Sequence, residues 1–216
     1  MNLKEIEKEI IDRTITKITS LATKIRGSCF AYCISLTDVS LPNVTEIGME
    51  AFCNCSALTD VSLPNVTRIE NSAFLYCDAL TDVSLPKVTY ISSSAFTGCS
   101  ALTDVSLPKA TIIDDFAFAQ CINLNLHLYT GLTSIKNLGG ILLSNINTPP
   151  KSVYFHYTDS DEVLFSPTDA IGVGTTKGTL TYNIYTDNTI IKNGVLSKAN
   201  QYTIVNVKHL DGSDWQ

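Results

Sequence analysis

Five of the seven cysteines stand 22 residues apart: Cys33, Cys55, Cys77, Cys99 and Cys121. Thiols at a regular spacing raise three chemistries: metal ligation, disulfide bridging and nucleophilic attack. Structural zinc sites need two short-spaced pairs, and neither Cys53-Asn54-Cys55 nor Cys29 with Cys33 has a matching partner pair. A 22-residue period would set the five thiols on successive coils, about 4.8 Å apart, the spacing of neighbouring strands. Side chains stacked in that way project nearly parallel, whereas a disulfide wants a dihedral near ~90°. The expectation is a reduced, buried ladder in which cysteine serves as a small apolar residue. No metal site is expected.

The other reactive groups are sparser. His127, His156 and His209 stand at no defensible spacing from a Ser, a Cys or a carboxylate, although a triad can assemble from distant residues. Asp159, Asp161, Glu162, Asp211 and Asp214 are oxygen donors of the kind calcium takes, but acids in turns are far commoner than calcium sites. Gly172-Val173-Gly174 reads as a turn and not as a phosphate loop before a helix. Asn43-Val44-Thr45 and Asn65-Val66-Thr67 match the glycosylation sequon, yet both recur with the repeat and read as its grammar. Catalysis is not expected, because near-identical coils offer few pockets where polar groups converge. No cofactor is expected either.

The elements that would position these residues follow from the same period. LTDVSLPNV occurs at 36–44 and 58–66, LTDVSLPKV at 80–88 and LTDVSLPKA at 102–110. Phe30, Phe52, Phe74, Phe96 and Phe118 share a column, as do Leu36, Leu58, Leu80, Leu102 and Leu124. Ile25 begins an isoleucine column that reaches Ile135, and Pro42, Pro64, Pro86 and Pro108 form another. Self-similarity at a fixed period of 20–50 residues marks a solenoid. Val39-Ser40-Leu41 alternates apolar and polar residues, as a half-buried strand does, and Pro42 ends it by withholding a backbone donor. Val44 and Ile47 belong to a second short extended run, both turned inward. Ala-Phe-x-x-Cys makes a corner that drops Phe and Cys into the interior. One such coil cannot bury its apolar groups alone, so stability comes from its neighbours.

Composition bounds the partners. The chain of 216 residues is 44% hydrophobic and 17% charged, as folded proteins are, with a formal charge of −6. It has no long basic run, so nucleic acid is not an expected partner. No stretch approaches ~18 apolar residues, so membrane insertion is not expected. The N-terminal MNLKEIEKEIIDRTITK has no apolar core of the secretory type, so no signal is read there.

The unit L-T-D-V-S-L-P-x-V-T-x-I-x-x-x-A-F-x-x-C resembles the BspA-type leucine-rich repeat of bacteria over roughly residues 14–137. The resemblance implies a leucine-rich-repeat solenoid, β-rich, with a parallel sheet along one face and little helix. Members of that family look like surface adhesins and host- or matrix-binding proteins, which implies a cell-surface or extracellular setting. Three parts are expected: a helical cap at 1–13, the solenoid at 14–146, and a small α+β domain at 151–216 after the linker Asn147-Thr148-Pro149-Pro150. In the cap, Leu3, Ile6 and Ile10 recur at helical spacing. In the first coil Lys17 stands where Val39 stands, so Ile15 and Ile18 must slip by one to reach the core. In the last part, strands at 179–185 and 202–210 flank a helical stretch at 188–200, the size of a βαβ unit.

The expected function is non-catalytic binding or adhesion, with a rigid face presented to a protein or glycan. The competing expectation is a spacer or attachment segment of a larger surface or phage-tail-like assembly. Two sets of residues could carry binding. Asp38, Asp60, Asp82 and Asp104 form an outward column beside Ser40, Ser62, Ser84 and Ser106, suited to a partner that itself repeats. The same columns can equally be the trace of recent duplication. Elsewhere the coils diverge: Glu46, Arg68, Tyr90 and Ile112 share one position, and Asn54, Tyr76, Gly98 and Gln120 another. Arg68, Tyr76 and Tyr90 are residue types that dominate interface energies, so a single distinct partner is expected on that flank.

Overall fold

The computed structural model describes residues 13–129, 134–135, 152–157, 164–165, 180–187, 189, 192–193 and 203–215. The expected N-terminal cap helix, the linker at 147–150 and Asp159, Asp161 and Glu162 lie outside them. The repeats coil into a parallel-sheet solenoid of about six turns with almost no helix. Among the described residues none forms a helix long and apolar enough to cross a membrane.

Each coil lays down two strands. The three-residue Asp-Val-Ser strands (Asp38–Ser40, Asp60–Ser62, Asp82–Ser84) and Asp104–Leu107 build a broad sheet. Dipeptides such as Arg68–Ile69 and Tyr90–Ile91 build a narrow one. Both pair in parallel and in register, Val39 beside Val61 and Ile47 beside Ile69. The alternation read from the sequence is the alternation of burial. Val39, Val61, Val83 and Val105 point inward while their Asp and Ser neighbours face solvent. The first coil slips as its isoleucines require. Lys17 pairs with Asp38 and Ile18 with Val39, and both Ile15 and Ile18 are buried.

Two threonines per repeat, in the Leu-Thr-Asp and Val-Thr segments, stitch the coils. The hydroxyl of Thr59 donates to the Thr37 carbonyl at 3.1 Å, and that of Thr67 to the Thr45 carbonyl at 3.1 Å. In each case the threonine's own N–H donates to the same oxygen. Asn65, inside one sequon match, bridges coils as well. It donates to the Pro42 carbonyl at 2.7 Å and accepts from Lys87 Nζ at 2.6 Å.

Two ladders run through the interior beside the buried Leu, Val and Ile columns. Phe30, Phe52, Phe74, Phe96 and Phe118 stack with centroids 5.2–5.4 Å apart and planes within 13°. The five aligned cysteines are buried beside them and are free thiols. Each of the last four donates its S–H to the carbonyl of a phenylalanine on the preceding coil: Cys55 to Phe30, Cys77 to Phe52, Cys99 to Phe74 and Cys121 to Phe96, at 3.1–3.2 Å. This is why the column is Cys and not Ala. A weak donor reaches a carbonyl that otherwise receives only the N–H three residues on, as Cys55 gives Phe52.

The corner between narrow and broad sheet carries a requirement that composition hides. Two residues per coil hold positive φ: Glu50, Ser72, Ser94 and Phe116 in one column, and Asn54, Tyr76, Gly98 and Gln120 in another. Such φ costs a non-glycine residue roughly 1–2 kcal/mol. The corner keeps it because it aims the backbone N–H groups at the next coil. Ser72 donates to Ser93, and Tyr76 to Thr97 at 2.8 Å.

The broad sheet continues past the repeats. Asn125–Tyr129 follows Asp104–Leu107, then Ser152–His156, Leu180–Thr186 and Thr203–Lys208, giving nine strands among the described residues. All these pairings are parallel. Val153 and Phe155 add to the buried side that Leu126 and Leu128 occupy. Thr189, Lys192 and Asn193, between the last two strands, are helical.

Candidate binding surface

The outer face of the broad sheet carries the aspartate column in register, Asp38 beside Asp60, Asp60 beside Asp82 and Asp82 beside Asp104. Parallel pairing sets these carboxylates side by side, which repels. Relief comes at the ends of the row. Lys17 Nζ lies 3.3 Å from Asp38 Oδ2, and His127 Nε2 lies 3.4 Å from Asp104 Oδ2. Lys87 Nζ donates to Asn65 Oδ1 at 2.6 Å and makes no ion pair with the row among the described residues. Asp60 and Asp82, in the middle, make no ion pair among the described residues. They line two shallow depressions of about 440 and 290 Å³ that share Asp82 and Ser84 and join into one furrow. Thr59, Thr81 and Thr103 form part of its wall.

The three variable-flank residues are divided by the fold. Arg68 and Tyr90 are neighbours on the narrow sheet. The Arg68 guanidinium sits 3.9 Å from the Tyr90 ring centroid, the stacking distance of a cation–π pair, while its Nε donates to Glu70. The Tyr90 hydroxyl donates to Asp114 at 2.5 Å, and that carboxylate holds the phenol's pKa above its ordinary value. The cluster is already satisfied internally, so binding through it would cost little side-chain entropy.

Tyr76 stands on the corner, 40% exposed, and is not part of that pair. Its ring lies over Gly98, the next residue in its own column. A Cβ on Gly98 would come 2.3 Å from the Tyr76 Cδ1. Gly98 is therefore glycine for two reasons, a φ of +80° and the ring above it. Gly98→Ala should lower stability by about 1–2 kcal/mol through backbone strain alone. The displaced ring should add to that loss, and Tyr76→Ala should relieve the added part. A double-mutant cycle in chemical denaturation measures it; additive losses would remove the ring from the account.

The histidines find partners that their spacing did not foretell. His127 Nδ1 and His156 Nε2 are 2.9 Å apart. His209 Nδ1 lies 2.7 Å from Asp187 Oδ1, and the His209 ring stacks on Trp215 at 4.1 Å. Asp211 and Asp214, the acids weighed for calcium, do not converge. Asp211 accepts from the Ser213 N–H at 2.8 Å, and Asp214 lies 3.5 Å from Lys208 Nζ. Among the described residues no three His, Cys, Asp or Glu side chains are grouped to hold a metal ion.

A parallel solenoid with one turn per 22-residue unit, a phenylalanine ladder inside and a polar sheet outside defines the leucine-rich-repeat class. Six copies of the BspA type leucine rich repeat region match residues 23–139, and the chain belongs to that family. It is similar to the leucine rich repeat protein of T. pallidum, with 27% identity and a TM-score of 0.51, over 66% of this chain and 72% of that one. Two further solved structures cover 92% of the chain. A leucine rich cell surface protein of Faecalibacterium prausnitzii A2-165 has 18% identity and a TM-score of 0.43. A leucine-rich repeat protein of Bacteroides ovatus ATCC 8483 has 21% identity and a TM-score of 0.44. The chain spans 62% and 61% of those two. No curated protein matches the chain.

Proposed function

We propose that the chain is a non-catalytic binding or adhesion scaffold that offers the outer face of its broad sheet to an elongated protein or glycan. The observation that carries this reading is the furrow across successive coils, floored by side chains that repeat from strand to strand. A surface that repeats at strand spacing suits a ligand with a regular array of cationic or hydroxyl groups. The family supports the coarser half of the reading, since its repeats build scaffolds of bacterial cell-surface type.

The test is a glycan array with a matrix-protein screen, run on wild type, on Asp60→Asn with Asp82→Asn, and on Arg68→Ala with Tyr90→Ala. Loss of binding in the aspartate pair alone supports the furrow. Loss in the Arg68 and Tyr90 pair alone moves the site to the narrow sheet and a distinct partner. Binding that survives both sets would put the site beyond the solenoid's repeats. Without ligand, the aspartate pair should be more stable than wild type by about 0.2–1 kcal/mol, because a side-by-side repulsion is gone. A discrete trimer or larger array in size-exclusion mass measurement, with no ligand found, would favour the spacer reading instead.

A further inference from the structure

The strand Asn125–Tyr129 joins two parts of the broad sheet. It pairs on one side with the repeat strand Asp104–Leu107 and on the other with Ser152–His156. On the inner face Leu126, Leu128, Val153 and Phe155 hold that second pairing, all of them buried. On the outer face it is held by rings. His127 stacks on Tyr154 at 4.4 Å, and Tyr129 on His156 at 4.5 Å. A diagonal contact links the two stacks. His127 Nδ1 lies 2.9 Å from His156 Nε2, with the ring centroids 5.2 Å apart. Nitrogens that close on rings that far apart meet edge to edge, as in an in-line N–H···N hydrogen bond.

Such a bond works only while one of the two facing nitrogens is bare, because an imidazole accepts only through an unprotonated nitrogen. The Asp104 carboxylate, 3.4 Å from His127 Nε2, draws that ring's proton to the Nε2 side. His127 Nδ1 is then the acceptor and His156 Nε2–H the donor. One added proton leaves the bond standing with its direction reversed: His127 Nδ1–H donates, and His156 carries its own proton on Nδ1 and accepts at Nε2. A second added proton puts N–H groups on both facing nitrogens and sets two cations against each other.

We propose that the His127–His156 bond is an acid-opened clasp: when both imidazoles are protonated, the outer face of the strand pair parts while the buried inner face stays packed, and Ser152–His156 is left loosely held against Asn125–Tyr129.

The other ionisable groups near the pair have places of their own. Asp104 faces His127 from the neighbouring repeat strand, and Tyr129 and Tyr154 cover the two rings. Tyr154 stacks in turn on Tyr185 at 4.4 Å. Asp187 follows Thr186, which pairs with Phe155, and it is taken by His209. Lys208 pairs with Tyr185 and lies 3.5 Å from Asp214. The direction of titration agrees with the geometry. Burial, then the charge of His127, hold His156 below the ordinary histidine value. The unfolded chain therefore takes up this proton first. The clasp's contribution to stability is complete above about pH 6.5 and is lost as pH falls through the folded value.

The test is hydrogen exchange on the full chain at about pH 7.5 and about pH 4.5, the latter still above the ordinary aspartate value. Each rate is divided by the unstructured rate at the same pH. Protection over 125–129 and 152–156 should drop by about 2- to 12-fold at the lower pH, the factor of one ordinary hydrogen bond. The repeat strands Asp60–Ser62 and Asp82–Ser84 should keep theirs. His156→Gln should abolish the drop, because a glutamine amide both donates and accepts and so keeps a partner in either state of His127. Circular dichroism at the higher pH checks that the variant is folded. Unchanged protection in the wild type, or the same drop in His156→Gln, overturns the clasp. Imidazole ¹⁵N spectra of the wild type give a reading that needs no variant. Both rings should be imidazolium at the lower pH, and a ring still neutral there while the strands loosen overturns the clasp as well.

Discussion

Phe74→Ala should remove about 3–5 kcal/mol of stability, a large part of what holds a domain of this size together. Phe74 is fully buried, with Phe52 on one face and Phe96 on the other, both at 5.2 Å. The alanine leaves a void in the middle of a ladder, where neither neighbour can collapse without leaving its own stack. The loss is also structural in a second sense. A solenoid is a sum of nearest-neighbour interfaces, and this one change weakens two of them. The coils on either side should therefore exchange their amides faster than the coils at the ends. Equilibrium denaturation gives the magnitude and hydrogen exchange the location. A loss below about 1 kcal/mol, the level of surface changes, would sink the inward assignment of the column.

The thiols should differ in reactivity by orders of magnitude. Burial pushes Cys55 and Cys121 up to about 12, and drives Cys77 and Cys99 well above the ordinary value. The thiolate is the nucleophile, and at pH 8 a thiol of pKa near 12 is only about 0.01% ionised, against roughly a quarter for an unperturbed one. Cys29, which is exposed although partial burial raises its pKa too, should react first with a thiol reagent, and Cys55 and Cys121 far more slowly. Denatured, unreduced protein should show all seven thiols. Fewer would mean bridges, and fast native reaction of every thiol would mean that the ladder is open.

The same shifts set an alkaline limit. Well below about pH 8.5 these thiols keep their protons in both states, and their contribution to stability is complete. Above it the unfolded chain sheds protons that the folded chain retains, so stability should fall as pH climbs from about 9 toward 12. The midpoint of urea unfolding, followed from pH 7 to pH 11, reads this directly. A midpoint that holds flat to pH 11 would contradict buried, neutral thiols.

The arrangement of the core was legible before any coordinates, and the reason is translational symmetry. When the chain advances one coil per 22 residues, every residue meets its counterpart 22 positions away, so a column of Phe, Leu, Ile or Cys is already a contact list. The slip at Ile15 and Ile18 was readable too, because only that shift buries them. What the period leaves out is any contact with a different offset. The cysteine thiol reaches a carbonyl 25 residues back, and nothing in a column of identical residues names that oxygen as its partner. The positive-φ corner lies in one column of Glu, Ser and Phe and another of Asn, Tyr, Gly and Gln, because the hydrogen bonds to the next coil, and not one residue type, hold the backbone there. Spacing put Arg68 beside Tyr90 and Tyr76 in a different column, but that the Tyr76 ring covers Gly98 was seen only in the structure.

The sequence by itself determined the solenoid, the inward columns and the outward aspartates, since all three follow from one period and one alternation. Only the tertiary structure decided where the aspartate row finds relief, which carboxylates stay unpaired, and that His127 and His156, 29 residues apart, meet at 2.9 Å. Beyond residue 124 the strands still stack in the same sheet, but the connections between them are unequal in length. Pairing there is decided by which faces bury together, and that information lies in three dimensions and not in spacing.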